Sequence, residues 1–324
     1  MTELSLTPHP KAQWRDATSA QRRAWASQVF IRHPRLSRAI ETISDRAARC
    51  QETGRGDGIF IRGAPGTGKT RLLRYLSQRF RVSPGEEPDD RTLRPLISLR
   101  VPDPCTRKRV IVEVLRAIGV QDPDAGSYHE SMARAKVLIR ECQVQVVTVD
   151  DLQDVPARRT QRGILDIGLC FRDLIDDTKA LYVFCGTKDA QVVIDGDTQL
   201  RRRVPCRLAL EYFDLEARER RPEFKRLMVE LDRWLPLAEE SCITASPSME
   251  RMFFASGGIV QYMIELLDLA WPLAIAEGRE SINDEDLRRA YESLFGEAST
   301  LNPFSTSGPH RPLTQPGEVF HGWR

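Results

Sequence analysis

The chain has 324 residues, 29% of them charged and 41% hydrophobic, with a formal net charge of +2. That length accommodates two domains, or one domain with appendages, and the composition is that of an ordinary globular protein, which excludes a disordered or fibrous chain. Seven widely spaced cysteines without a C-x-x-C pair read as reduced core residues. The opening MTELSLTPHPKAQWR has no apolar signal-like run and no stretch approaches about 18 apolar residues, so the expectation is a cytoplasmic protein with no membrane partner.

Residues 1–56 are polar and Arg-rich, with a helical stretch around Leu36, Ile40 and Ile43, and they close on the loop signal Thr53-Gly-Arg-Gly-Asp-Gly58. Gly58 to Ile61 predicts a short buried strand, and Gly63-Ala-Pro-Gly-Thr-Gly-Lys-Thr70 follows it, opening a helix with Leu72, Leu73 and Leu76 on its apolar face. After a hydrophilic connection over Val82 to Arg91, a second strand is expected from Pro95 to Val101. Thr106 caps a helix with apolar Val110, Ile111, Val114, Leu115 and Ile118, and Gly119 ends it. A helix over Met132 to Cys142 precedes a third strand, Val144 to Val149; a helix from Arg158 to Ile175 precedes a fourth, Ala180 to Cys185; a fifth spans Arg207 to Tyr212. Strands alternating with helices predict an α/β fold, a parallel sheet covered by helices on both faces, over residues 57–212. Residues 213–297 read as a small, purely helical domain, its last helix capped by Asn283 with Asp286 three residues on. Residues 298–324, rich in Pro and Gly, are expected to be a flexible tail.

The segment from Gly63 to Thr70 satisfies G-x-x-x-x-G-K-[ST] in its required strand-to-helix context. Gly63, Gly66 and Gly68 let the backbone aim N–H groups at phosphate oxygens, and the helix N-terminus favours an anion there. Residues Gly63, Ala64, Pro65, Gly66, Thr67, Gly68, Lys69, Thr70 and Arg71 are therefore the expected ATP-binding set, with Lys69 on the β- and γ-phosphates and Thr70 on Mg²⁺. Such a site needs a carboxylate at a neighbouring strand end. Asp150, closing the run Val-Val-Thr-Val, is the expected second Mg²⁺ ligand. Asp151 is the candidate base that polarises water; a helix-capping or loop carboxylate is the alternative. If the fourth strand lies between the P-loop strand and the Asp150 strand, Thr187 faces the γ-phosphate as a sensor, the alternative being a turn residue that caps the next helix. Of the triplet Arg201-Arg-Arg203, Arg203 is the candidate trans-acting finger, which requires an oligomer, against a solvated helix end.

In order and spacing these motifs resemble the AAA+ ATPases, and within them the TniB/TnsC family of transposition ATPases. The closer resemblance rests on Phe30-Ile-Arg-His-Pro-Arg35, the P-loop, Val101-Pro-Asp-Pro-Cys-Thr106, Val147-Thr-Val-Asp-Asp-Leu-Gln153, Phe184-Cys-Gly-Thr-Lys-Asp-Ala190 and Gly257-Gly-Ile259, across roughly residues 25–297. It implies an AAA+ P-loop αβα core with a five-stranded parallel sheet and a helical lid, ATP between them, and homo-oligomeric assembly as a ring or filament on duplex DNA. It also implies an ATP-dependent regulator that links a TniQ-like target selector to a DDE-type transposase. The basic start of the helix after the second strand, Arg107, Lys108 and Arg109, is where DNA-encircling relatives present cations to the duplex. Those residues would neutralise phosphates without reading sequence, and cations at a helix N-terminus, which oppose its dipole, hint at such a use. Two departures stand out: Asp151 replaces the usual Glu, one methylene short, so slow hydrolysis is expected, and Gln261 and Tyr262 stand where a sensing arginine is common. A replication-initiator or helicase-loader-like ATPase shares the core but normally adds a winged helix, for which the stretch after Glu297 is too short. A nucleotide-gated scaffold with little hydrolysis fits Asp151, and a small-molecule P-loop kinase is the remaining alternative.

Overall fold

Apolar runs that alternate with amphipathic helices favour one arrangement, strands side by side with helices on both faces. The computed structural model has it, and describes residues 8–82, 92–215, 220–296, 301–305 and 308–321. Strands β1 (Asp57–Gly63), β2 (Leu96–Arg100), β3 (Val146–Asp150), β4 (Leu181–Gly186) and β5 (Cys206–Leu210) form one sheet in the order β2-β3-β4-β1-β5. All neighbouring pairs are parallel. All five expected strands are present, with ends displaced by one or two residues. β4 is central and every one of its residues is buried, whereas the edge strands β2 and β5 each carry exposed residues at alternate positions, as parallel strands do when helices cover only the interior ones on both faces.

Leu36–Glu211 forms one compact unit, and Met1–Arg35 with Tyr212–Arg324 forms a second. In the sheet unit, Phe60, Leu99, Val149 and Phe184 meet Ile111, Leu115 and Phe171 from the flanking helices. Thr106 caps the helix Arg107–Ile118 by accepting from Arg109 N, and Gly119, at φ 104°, ends it in the left-handed conformation. The single helix expected from Arg158 to Ile175 is instead two, Asp154–Arg158 and Gln161–Asp177. Thr160 has extended backbone and its hydroxyl accepts from Gly163 N, so it caps a new helix rather than continuing the old one.

The second unit is helical, with a core of Phe224, Met228, Phe253, Met263, Leu287 and Tyr291. Asn283 and Asp286 form the expected reciprocal cap of the helix Asp284–Phe295. Trp14 and Trp25 join the same core, and the Trp25 ring stacks on Trp234 with centroids 5.5 Å apart. The flexible tail expected from residue 298 onward is corrected by its described residues: Phe304, Leu313 and Phe320 are buried in this core. Phe320 packs its ring against Tyr262 and Phe295, and Arg311 pairs with Glu318. Three large apolar side chains bury enough surface to hold a segment that has no regular secondary structure. Among the described residues no single helix is long and apolar enough to cross a membrane.

One buried group in the helical unit gives a pH dependence. His33 is 2% exposed, lies edge-on to Phe213, and neither ring nitrogen has a hydrogen-bond partner among the described residues. Burial, aided by the Arg35 guanidinium, pushes its imidazole from 6.5 down to about 3. The unfolded chain takes up a proton as pH falls through 6.5 while the folded ring stays neutral until about 3, so stability is fully present above that window and falls within it, by up to ~1.4 kcal/mol per pH unit. His33→Phe is expected to flatten the denaturation midpoint between pH 6 and pH 4, measured by urea titrations at each pH; an equally steep decline would place the titrating group elsewhere.

Candidate functional site

The P-loop leaves β1 at Gly63 and enters the helix Lys69–Arg79. Gly66 and Gly68 have φ of 75° and 92°, the left-handed region that residues with a Cβ seldom occupy, and that reversal turns the loop back over its own strand. Thr67, 3% exposed, braces the arch by donating its hydroxyl to Ala64 O at 2.8 Å. Lys69 folds back as well: its Nζ donates to Gly63 O at 2.8 Å and Ala64 O at 2.9 Å. Burial pushes its ammonium below the ordinary lysine value, and Cys185, Asp150 and Asp151 act in the opposite sense. A lysine held only by neutral carbonyls in a partly desolvated loop is matched to an anion with several oxygens.

The sheet order brings the carboxylates to this loop. β4 lies between β3 and β1, so the ends of β3 and β1 flank the end of β4, where Gly186 and Thr187 emerge. Across that gap the Thr70 hydroxyl donates to Asp150 Oδ2 at 3.1 Å, while Asp150 Oδ1 accepts from Asp151 N at 3.0 Å. A hydroxyl and a carboxylate oxygen side by side are hard donors of the kind Mg²⁺ takes alongside phosphate oxygens and water, so these residues fit that ion.

Asp151 has a different environment. Its φ is 55°, a conformation in which Asp and Asn are enriched among residues with side chains, and its carboxylate has partners of its own. Asp151 Oδ1 accepts from Gln153 Nε2 at 2.9 Å, and Oδ2 pairs with Arg100 Nε at 2.8 Å. Gln153 Oε1 in turn accepts from Thr187 N at 3.2 Å. Arg100 and Gln153 escape a reading of the sequence by motif. The signal for Arg100 is its place at the end of the second strand, which the sheet registers opposite Asp150; for Gln153 it is the left-handed turn at Asp151, which no local pattern announces.

The other expected residues divide. Thr187 stands at the end of β4, as the condition on strand order requires. Arg203 ends the short helix Thr198–Arg203, where its guanidinium pairs with Asp176 and donates to Gln199 O at 2.9 Å. Arg201 and Arg202 are exposed and carry no ion pair among the described residues. In the basic triplet, Lys108 Nζ donates to Asp124 O and Gly126 O, both at 2.8 Å, tying down the loop after its helix. Arg107 lies over the Tyr128 ring at 5.1 Å and remains exposed, and Arg109 is exposed with its guanidinium unpaired among the described residues.

A P-loop faced by a strand-end carboxylate, with one strand inserted between them in a five-stranded parallel sheet of this order, is the arrangement of the AAA+ fold. Solved structures agree on the fold. The Aeropyrum pernix ORC2 protein in its ADPNP-ADP complexes has 16% identity over 83% of this chain and 71% of its own, with a TM-score of 0.56. The Aeropyrum pernix ORC1 protein in complex with DNA gives 15% identity, 83% and 68% coverage and a TM-score of 0.55. Cdc6p from Pyrobaculum aerophilum gives 17%, 82% and 69%, and 0.55. No curated protein matches the sequence. The family model described as "Bacterial TniB protein" matches residues 22–211, and the chain belongs to the TniB family.

The Arg100–Asp151 pair is short, yet the Arg100 side chain is 77% exposed. Ion pairs so exposed contribute little to folding. Arg100→Ala is expected to change stability by less than about 1 kcal/mol in a denaturant titration; a larger loss would assign the pair a structural role.

Proposed function

We propose that this protein is an ATP- and Mg²⁺-dependent regulator of DNA transposition that assembles on duplex DNA and links a TniQ-like target selector to a DDE-type transposase. The observation that carries nucleotide dependence is the 3.1 Å hydrogen bond of Thr70 with Asp150 beside the P-loop lysine. Membership of the TniB family supports the transposition role. The similar fold of ORC2, solved with ADPNP and ADP, and of ORC1, solved with DNA, is consistent with both ligands.

In this reading Lys69 exchanges the carbonyls of Gly63 and Ala64 for β- and γ-phosphate oxygens, and backbone N–H groups from Gly63 to Arg71 cradle the remaining charge. Thr70 and Asp150 hold Mg²⁺, which neutralises charge on the phosphates when bound. Asp151 orients the attacking water and accepts its proton; Thr187 faces the terminal phosphate. The trans-acting finger is Arg203. Its pair with Asp176 is partly solvent-exposed, so exchanging that partner for a neighbour's nucleotide costs little, about 1 kcal/mol or less. Asp151 is one methylene shorter than the Glu usual at this position, which favours slow turnover and a switch-like use of ATP. Lys69→Ala is expected to abolish the assemblies that the parent forms with duplex DNA and a non-hydrolysable ATP analogue in negative-stain microscopy. Assembly equal to the parent's would sink nucleotide gating.

For duplex DNA, phosphate neutralisation falls to Arg107 and Arg109, because Lys108 is committed to its own loop. Reversing both charges, Arg107→Glu with Arg109→Glu, is expected to weaken binding and to reduce the slope of log K against log salt by roughly 0.9 for each phosphate no longer neutralised. Unchanged binding and slope would remove this helix start from the DNA surface.

A further inference from the structure

The amide of Gln153 touches both functional strand ends at once. Nε2 donates to Asp151 Oδ1 at 2.9 Å and Oε1 accepts from Thr187 N at 3.2 Å. The orientation is forced: flipping the amide would set its oxygen against a carboxylate and its NH₂ against an N–H, and neither bond would form. The surroundings are shaped for this arrangement. A Cβ on Gly186 would stand 3.1 Å from Gln153 Oε1 and 2.6 Å from the Ala190 Cβ, so a bare backbone at that position is what lets the side chain in. Leu152 N donates to Cys185 O at 3.0 Å and Asp154 N to Asp151 O at 2.9 Å, so the turn that carries Gln153 is pinned to β4 on one side and closed on itself on the other.

Asp151 is thus held from two directions by unequal partners. Arg100 is 77% exposed, whereas Gln153 is a short, partly buried strut whose far end meets the backbone N–H of Thr187. A carboxylate that must sit within a few tenths of an ångström of a water is aligned by the rigid partner.

We infer that Gln153 is the positioning residue of the site, fixing the Asp151 carboxylate to the end of β4 so that its alignment follows the position of Thr187 beside the terminal phosphate. The inference rests on the ATPase reading, with Asp151 as base. Through this amide, movement of Thr187 toward a bound phosphate carries Asp151 with it, and loss of that phosphate lets both relax.

Phosphate release and binding of a fluorescent ATP analogue, measured side by side on four full-length proteins, test it. The parent should hydrolyse ATP, and Asp151→Asn should bind the analogue but lose hydrolysis by about 10²-fold or more. Gln153→Leu, close in size and unable to make either bond, should keep the parent's nucleotide affinity and KM while kcat falls roughly 10- to 100-fold, the range typical of partners that orient a functional group. Gln153→Glu cannot donate to Asp151 Oδ1 and sets a like charge against it, so it too should bind the analogue while kcat falls at least as far as in Gln153→Leu. A merely structural role would lower thermal stability and affinity together, with KM rising alongside the loss of kcat. Gln153→Leu or Gln153→Glu with the parent's kcat while Asp151→Asn is inactive would overturn the role of Gln153 alone. A parent without hydrolysis, or an Asp151→Asn protein as active as the parent, would overturn the ATPase reading itself.

Discussion

The hydrogen bond between Thr70 and Asp150 constrains everything around it. Its two residues belong to β1's exit and β3's end, and β4 lies between those strands. Neighbouring strands are about 4.8 Å apart, so the two chain ends are separated by roughly 10 Å at the sheet. The bond exists because the P-loop arches sideways across the end of β4 before its helix begins. That arch demands backbone conformations which Gly66 and Gly68 supply, and it leaves the end of β4 lying beneath the loop, in line with both partners. Strand order, glycine placement and the carboxylate are therefore one arrangement.

A second tension is resolved locally. Two adjacent carboxylates at the end of an apolar strand repel, and a regular β conformation would place them on opposite faces of the sheet. The positive φ at Asp151 breaks that alternation and gives each carboxylate its own donors. Asp150 takes a hydroxyl and a backbone N–H, while Asp151 takes an amide and a guanidinium. Like charges become tolerable here because each of the four oxygens accepts from a different group. The shorter side chain at 151 also suits this backbone, since Asp tolerates the left-handed region better than longer residues do, so replacing it with Glu would change the turn as well as the reach.

What the sequence discloses follows the range of the physics involved. The P-loop is legible because eight consecutive residues and their flanks specify it, and Asp150 because an apolar run must end before a charge. Thr106, Gly119 and the Asn283 cap are legible for the same reason: each acts within four residues. Arg100 needs knowledge that β2 lies beside β3, and Gln153 needs the dihedral of a neighbour. The basic triplet shows the limit from the other side, since three like residues in a row have three different environments: one stacked on Tyr128, one tied to a loop, one unpaired among the described residues. The aromatic core of the helical unit is equally hidden, because Trp25 meets Trp234 across most of the chain.

That last pairing bears on how the protein is made. The sheet unit is one uninterrupted stretch, Leu36–Glu211, whereas the helical unit draws on chain from both before and after it. On the ribosome the sheet unit can close as soon as β5 has emerged, while Trp14 and Trp25 must wait, apolar and uncovered, until Phe224, Trp234 and the later helices are synthesised. Domains generally fold as units during synthesis at about 5–20 residues per second, so the helical unit is completed after the sheet unit. The sheet unit is thereby assembled first, and the helical unit closes over Trp14 and Trp25 only after the chain of the sheet unit has been made.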